Sequence, residues 1–490
     1  MTALFSSFNA PGVRIQESTQ GFRTLAIASF QSVYMIGSSA SGDYLVPTQV
    51  TSLEDFTNQF GASPSEASVK LFFRNDRRGI LYFVRTPISI ERSVVVSTAA
   101  NATYTVTIAG TVVSYVSAGS ETPEAIASGI LAAINFSAVA DIVTASASAF
   151  TDTITVRLDD PLSADITFTV GTNLAVTVTT PTTPASQDYI YAIENSFDSE
   201  DDYGQGFILA PQAFQLLTSG VDRLAVANAL HALASDASYD WIALIDAGTG
   251  LTPTQAQAEG ILVVAPQGHA SYYYPYLKDL EGGIVPPSAA VAGVATRRFK
   301  AEGLQQPAAG AKFPVLGVTD VVTKVNTQQQ EVLNPLGINI IRNLRNKGVV
   351  IWAMRTRSNS TFYSFMPVRV IMSVLNGTLR RGFDNEVFTS IDGLGILLSD
   401  IAASARSVCS RFWRAKLLFG ASEAEAFEVK CDFENNTKED LGLGNVLLEV
   451  YAIPAPAMER LLISSVRVAI GTLPLGQTNL EAQLLPPTQA

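Results

Sequence analysis

Leu224-Ala-Val-Ala-Asn-Ala-Leu-His-Ala-Leu-Ala234 is followed, after a short polar break, by Trp241-Ile-Ala-Leu-Ile-Asp246. The first stretch reads as a helix and the second as an apolar run of buried-strand length. A helix leading into such a strand is the repeating unit of a parallel or mixed sheet covered by helices. Ile261 to Ala265 and Gly348 to Met354 read as further strands, and Pro335 to Arg345 as helix or loop. Asp246, with Gly248 and Gly250 beyond it, occupies the strand end where α/β sheets often carry a ligand-binding residue.

The same alternation runs upstream. Ser32 to Gly37 reads as a strand, and Ser52 caps a helix over Leu53 to Phe60 that Gly61 stops. Ser63-Pro64-Ser65-Glu66 has the form of a capping box opening a second helix, and Ile80 to Val84 is another buried-strand run. From about Ile88 the composition changes. Residues 90 to 185 are dominated by Thr, Val, Ala and Ser, with alternating runs at Tyr104 to Ile108 and Thr153 to Arg157 and one helix from its Thr122 cap to Ile134. Breaker-rich segments bound this stretch, as they bound tolerated insertions. The reading is an α/β (mixed α+β) core carrying an inserted mostly-β domain.

Downstream, Pro367 to Arg381 places Val368, Ile371, Met372, Leu375 and Leu379 on one helical face. Leu394 to Leu418 does the same with Leu394, Leu398, Ile401, Ala405, Val408 and Phe412. Strands are expected at Phe427 to Phe433, Val446 to Ile453 and Ser465 to Ile470. Phe427, Val429, Cys431 and Phe433 alternate with Glu428, Lys430, Asp432 and Glu434, which puts Cys431 on an apolar face as packing, with Asn435-Asn436-Thr437 as the closing turn.

At 490 residues the chain is long enough for two to four domains. It has no apolar run long enough to span a membrane and no signal-peptide pattern at its start. Charged residues make up only 16%, and the net charge of −12 disfavours nucleic acid. From Ile341 to Gly420, however, twelve Lys and Arg stand against four Asp and Glu, a local +8 that leaves −20 for the rest. Such an island suits an acidic partner or a solvated helix pair.

Candidate chemistry is sparse. Cys409 and Cys431 are the two cysteines and His231 and His269 the two histidines, with no metal-ligand spacing among them. Gly37-Ser-Ser-Ala-Ser-Gly42 follows a strand as a phosphate loop does but lacks the Lys-Ser/Thr that orients phosphates. His269 precedes Tyr272-Tyr273-Tyr274, whose density fits either ligand stacking or packing. No nucleophile elbow supports a Ser-His-Asp triad. No enzyme activity, cofactor or metal is expected.

The order of motifs in the C-terminal third is specific. Asn334-Pro-Leu-Gly-Ile-Asn-Ile-Ile-Arg342, Gly348-Val-Val-Ile-Trp-Ala-Met-Arg-Thr356 and Ala421-Ser-Glu-Ala-Glu-Ala-Phe427 resemble contractile tail sheath proteins of phages and related injection machines. Tyr273-Tyr-Pro-Tyr-Leu-Lys278, Val285-Pro-Pro-Ser-Ala-Ala-Val-Ala-Gly293 and Pro11-Gly-Val-Arg-Ile-Gln-Glu17 are similar to the same family. The resemblance covers roughly residues 10 to 86 and 200 to 470. The chain departs from the family pattern at Ala295-Thr-Arg-Arg-Phe-Lys300 and Gly303-Leu-Gln-Gln-Pro-Ala-Ala309.

The resemblance implies a structural subunit that stacks with itself as hexameric rings around an inner tail tube protein and contracts. Baseplate and tail terminator proteins would meet the ends, with no nucleic acid bound and no direct membrane insertion. The setting implied is a virion tail assembled in the host cytoplasm, or a cytoplasmic contractile injection particle. Terminal arms would add strands to neighbouring subunits: Val13, Arg14, Ile15, Gln16 and Glu17 at one end, Val466, Arg467, Val468, Ala469 and Ile470 at the other. Val429, Cys431, Phe433, Val446, Leu448 and Val450 are the expected arm-receiving positions. Arg369, Arg380, Arg381, Arg406, Arg411, Arg414 and Lys416 are the expected tube-facing ones.

The expected organisation is an N-terminal arm at 1–20, an α/β sheath domain from 21–88 and 195–330, and an inserted mostly-β outer domain at 89–194. A C-terminal domain at 331–464 faces the tube and receives arms, and 465–490 form the second arm and tail. Two alternatives stand beside this reading: a non-contractile tail or capsid decoration protein, and an α/β enzyme using Asp246 and His269.

Overall fold

The computed structural model describes residues 25–97, 101–147, 150–163, 165–198, 203–463 and 465. Both expected arm strands, Val13 to Glu17 and Val466 to Ile470, lie outside the described residues. The chain divides into a unit of residues 1–457 and a unit of residues 458–490. In the second, Met458 and Leu461 to Ile463 are exposed and form no helix or strand.

The larger unit begins with β1 (Phe30–Gly37) and β2 (Thr48–Val50). Helix α1 (Leu53–Phe60) follows, capped as its sequence requires: the Ser52 side chain accepts from the Asp55 amide, and Gly61 ends it at φ 64°. Helix α2 (Glu66–Asn75) begins without the expected reciprocal cap; Ser63 Oγ accepts instead from the Ser65 amide in the preceding turn. β3 (Ile80–Arg85) then pairs with β1 in parallel and with β2 antiparallel.

Residues 91–179 build a separate pair of small sheets. β4 (Glu91–Val96), β5 (Thr103–Ile108), β6 (Thr111–Val116), α3 (Pro123–Asn135), β7 (Val143–Ser146), β8 (Thr153–Leu158), β9 (Phe168–Val170) and β10 (Leu174–Thr179) follow one another. Their strand orders are β10-β4-β8-β7 and β6-β5-β9. The alternation seen in the sequence is real: Tyr104, Val106 and Ile108, with Ile154, Val156 and Leu158, point into a core that these elements share with Ile126, Ile130 and Ile134 of α3.

The α/β alternation then resumes with α4 (Ser186–Asn195), β11 (Gln205–Leu209), α5 (Pro211–Leu216), α6 (Gly220–Ser235) and β12 (Ile242–Asp246). After α7 (Pro253–Gly260) come β13 (Ala270–Tyr274), the short strands β14 (Leu277–Asp279) and β15 (Ile284–Val285), and α8 (Ser288–Glu302). β16 (Val318–Val321), α9 (Thr327–Leu333), β17 (Ile338–Leu344) and β18 (Gly348–Ile351) complete this part.

Eight strands form one sheet in the order β18-β17-β13-β12-β11-β1-β3-β2, its six inner members parallel from β17 to β3. Every residue of β11, β12 and β13 is buried, as strands covered on both faces must be. One face packs Phe30, Phe207, Leu244 and Tyr273 against α8; the other packs Tyr34, Trp241, Ile245 and Tyr272 against α4 and α6.

Two segments differ from expectation. Ile261 to Ala265 is a turn and coil, with Ile261, Leu262 and Val264 exposed, because the place beside β12 is taken by β13. Ile338 to Leu344 is a strand rather than helix or loop: Gly337 turns the chain at φ 72°, and β17 extends the sheet beside β13. The final part consists of α10 (Met366–Phe383), α11 (Ile396–Arg414), α12 (Glu423–Ala426), β19 (Phe427–Lys430), α13 (Lys438–Gly442) and β20 (Glu449–Ala452).

Candidate functional site

Among the described residues β19 and β20 pair antiparallel as a two-stranded sheet, with Val429 opposite Val450 and Glu428 opposite Tyr451. The expected strand to Phe433 stops at Lys430, because Asp432 to Glu434 turn: the Asp432 carboxylate accepts from the Glu434 amide. One face packs inward. Val429 and Cys431 are buried against α11, and Val446, Leu448 and Val450 are partly buried on the same core, whereas Phe433 is half exposed. Burial pushes the Cys431 thiol up, and the Asp432 charge adds to it, so this sulfur behaves as a small hydrophobe.

Outer edges of a two-stranded sheet are unpaired along most of their length, and such a sheet alone is marginally stable in water. Here α11 backs β19, with Arg406 donating to the Val429 carbonyl at 3.1 Å. The far end of β20 is closed by Phe419, whose amide donates to the Ile453 carbonyl. Around the pair lies an unusual run of exposed apolar side chains: Val387, Phe388, Leu394, Phe419, Leu443 and Ile453. Phe388 is fully exposed at φ 69°, a backbone region costly for a bulky residue. Val446 and Leu448 line a cleft of about 300 Å³ together with Val387, Phe388, Leu397 and Ile401. Sequence reasoning found the strands but missed this apolar loop; its only signal is Val387-Phe388 placed in a breaker-bounded segment.

The seven basic residues expected on one surface are not equivalent. Arg369 is 4% exposed, its guanidinium 3.3 Å from the Asp240 carboxylate, and its Nε donates to Ser373 Oγ. Arg380 donates to the carbonyls of Ala237 and Ser238, Arg381 to that of Tyr203 and Arg411 to that of Leu25. Arg380, Arg406, Arg414 and Lys416 are exposed, and Arg414 has a distant ion pair with Glu423 at 3.6 Å.

Asp246 and His269 do not meet. Ala243 pairs with Ala270 and Asp246 with Tyr273, so His269 lies level with Ile242, four residues and about 13 Å along the sheet from Asp246. Both Asp246 oxygens hold the start of α8, accepting from the Ser288 amide at 2.7 Å and its hydroxyl at 2.5 Å. Complete burial pushes the carboxyl up to about 7, against the lowering effect of the two Ser288 bonds. His269 is bonded through Nδ1 to the Trp241 carbonyl at 2.8 Å, and burial lowers its pKa. Tyr272, Tyr273 and Tyr274 are interior residues of β13, so their density is packing within the subunit.

Among the described residues no group of three or more His, Cys, Asp or Glu is placed to hold a metal ion. None of their helices is long and apolar enough to cross a membrane.

Residues 202–357 match the family model of the phage tail sheath protein central domain. No curated protein sequence matches the chain. Among solved structures, the chain is similar to the helical sheath of the anti-feeding prophage in its contracted state, with TM-score 0.58 and 18% identity over 94% of this chain and 99% of that one. It is similar also to the sheath complex of the extracellular contractile injection system PVC in the contracted state (TM-score 0.57, 17% identity, 94% and 98% covered). A third match is to the anti-feeding prophage baseplate (TM-score 0.55, 18% identity, 94% and 99% covered). The chain thus matches the tail sheath family model over its central residues and has, over nearly its whole length, a fold similar to those of contractile sheath proteins.

Proposed function

We propose that this chain is the subunit of a contractile sheath, stacking as hexameric rings around an inner tube and linked to its neighbours by exchanged terminal strands. The observation that carries the reading is the β19–β20 sheet, which has no third strand among the described residues and is ringed by exposed apolar side chains, on a sheath fold. Strand addition supplies backbone hydrogen bonds along such an edge, and alternate side chains of the added strand enter pockets beside it. Val13 to Glu17 and Val466 to Ile470 carry the required alternation at the two chain ends.

Residues 89–194 form an outer domain in this reading, which their separate core supports. The exposed Arg380, Arg406, Arg414 and Lys416 face the tube, while Arg369 serves the interior. Each surface ion pair contributes only about 0–1 kcal/mol, which suits a surface that must release. No catalytic step enters this function.

Removing residues 1–20 tests the linkage. The truncated chain is expected to remain a folded monomer by circular dichroism and to form no tubes under the electron microscope. Assembly equal to that of the full chain rules out N-terminal strand exchange.

A further inference from the structure

We infer that a basic cleft at the β17–β18 hairpin receives the acidic outer face of the β19–β20 sheet from a second copy of this chain. The inference rests on the sheath reading for its setting, but its two surfaces are separate from the strand edges on which that reading depends.

The cleft, of about 370 Å³, is lined by Val321, Lys324, Val325, Arg342, Asn343 and Arg345. Val321 and Val325 are buried and form an apolar floor. Lys324 is 82% exposed and, among the described residues, has only a 4.0 Å contact to Asp320, a carboxylate already bonded by Asn343. Arg342 spends one donor on the neutral Gln330. Arg345 and Lys347, at the hairpin turn, are exposed and pair with no carboxylate among the described residues. The cleft therefore holds an excess of guanidinium and ammonium groups over a dry base. These three hairpin charges were part of the basic island in the sequence; the fold places them on elements other than α10 and α11.

The complementary surface lies on the far side of β19–β20. Because Glu428 faces Tyr451 and Lys430 faces Glu449, these four side chains share the face opposite Val429 and Val450. Glu434 reaches back to Lys430 at 2.8 Å, and Asp432 and Glu449 also act on that ammonium group. One lysine thus stands among Glu428, Asp432, Glu434 and Glu449. Tyr451, 55% exposed, has its hydroxyl bonded to Glu449 at 3.0 Å and its ring presented between the acids. A ring framed by carboxylates matches an apolar floor framed by basic groups.

Two different patches of one chain make a heterologous contact, which propagates into rings or helices instead of closing a dimer. Charge contacts of this type re-form after sliding, as movement between neighbouring subunits demands.

The test uses the full-length chain in three forms: K324E/R345E, E428K/E434K, and all four substitutions together. All are expected to keep the parent's melting temperature. Each double variant is expected to raise the concentration needed for tube formation at least tenfold, and the fourfold swap to restore it. Mixing the two double variants is expected to produce association, by sedimentation, that neither shows alone. Unchanged assembly of either double variant overturns the inference. So does a block that neither the swap nor mixing relieves, which assigns the cleft to a different surface of the neighbouring copy. If the parent forms no tubes at all, the sheath reading fails, and the mixing experiment still decides the contact.

Discussion

Substituting Arg369 by alanine separates an interior role from a surface one. The side chain is 5% exposed and reaches Asp240, itself buried, with Nε bonded to Ser373 and the guanidinium 5.2 Å from the Tyr363 ring. Asp240 also accepts from Ser373 Oγ at 2.6 Å and Asn376 Nδ2 at 2.9 Å. In R369A those two neutral donors remain, with the His269 ring 3.7 Å away, and the carboxylate loses the buried arginine that faces it. Breaking one partner out of a buried pair costs about 3–5 kcal/mol, because an uncompensated charge stays inside. That is a large share of the roughly 5–15 kcal/mol by which domains are stable. Urea denaturation of the purified chain reads the loss directly. D240N/R369M, which removes both charges, is expected to recover more than half of it. A tube-facing arginine would behave otherwise, since exposed substitutions usually fall within about 0.5 kcal/mol. R369A within that range of the parent refutes the interior assignment.

Two further outcomes follow from the sheet. Asp246 titrates near 3.8 when unfolded and at about 7 when folded, so the unfolded state ionises first and stability falls as pH rises between those values. The fall is worth up to roughly 4 kcal/mol; melting curves from pH 4 to 8 should show it in the parent and lose most of it in D246N, and parallel profiles would count against the buried carboxyl. Gly206 is opposed to Ser32 in the β1–β11 pairing, where an added Cβ would lie 1.8 Å from the Ser32 carbonyl oxygen. G206A is therefore expected to cost about 3 kcal/mol or more, while G442A, with nothing within 4 Å, should leave the melting temperature unchanged.

The elements whose ends carry local chemistry were legible in the sequence. Ser52 and Thr122 cap α1 and α3 through the bonds their side chains imply, and the period-two runs of β5 and β8 face their core as written. Cys431 likewise lies on the packed face expected of it. What failed were choices that depend on distant partners. Ile261 to Ala265 is apolar enough for a strand, yet a strand needs a neighbour, and β13 already occupied that place. Asn334-Pro-Leu-Gly hid a strand because its breakers end one element immediately before the next begins. At the candidate site, the strands could be read, but a helix wheel could not tell that Arg369 faces Asp240 across 129 residues of chain, nor that Glu428, Glu434 and Glu449 converge. Convergence of charge is a property of register and turns, settled only when the sheet forms.

Electron microscopy of the purified full-length chain at rising concentration bears most directly on the claim that this protein is a sheath subunit. The account predicts long hollow tubes of constant width, built from stacked rings. A chain that stays strictly monomeric at high concentration, while folded, contradicts it.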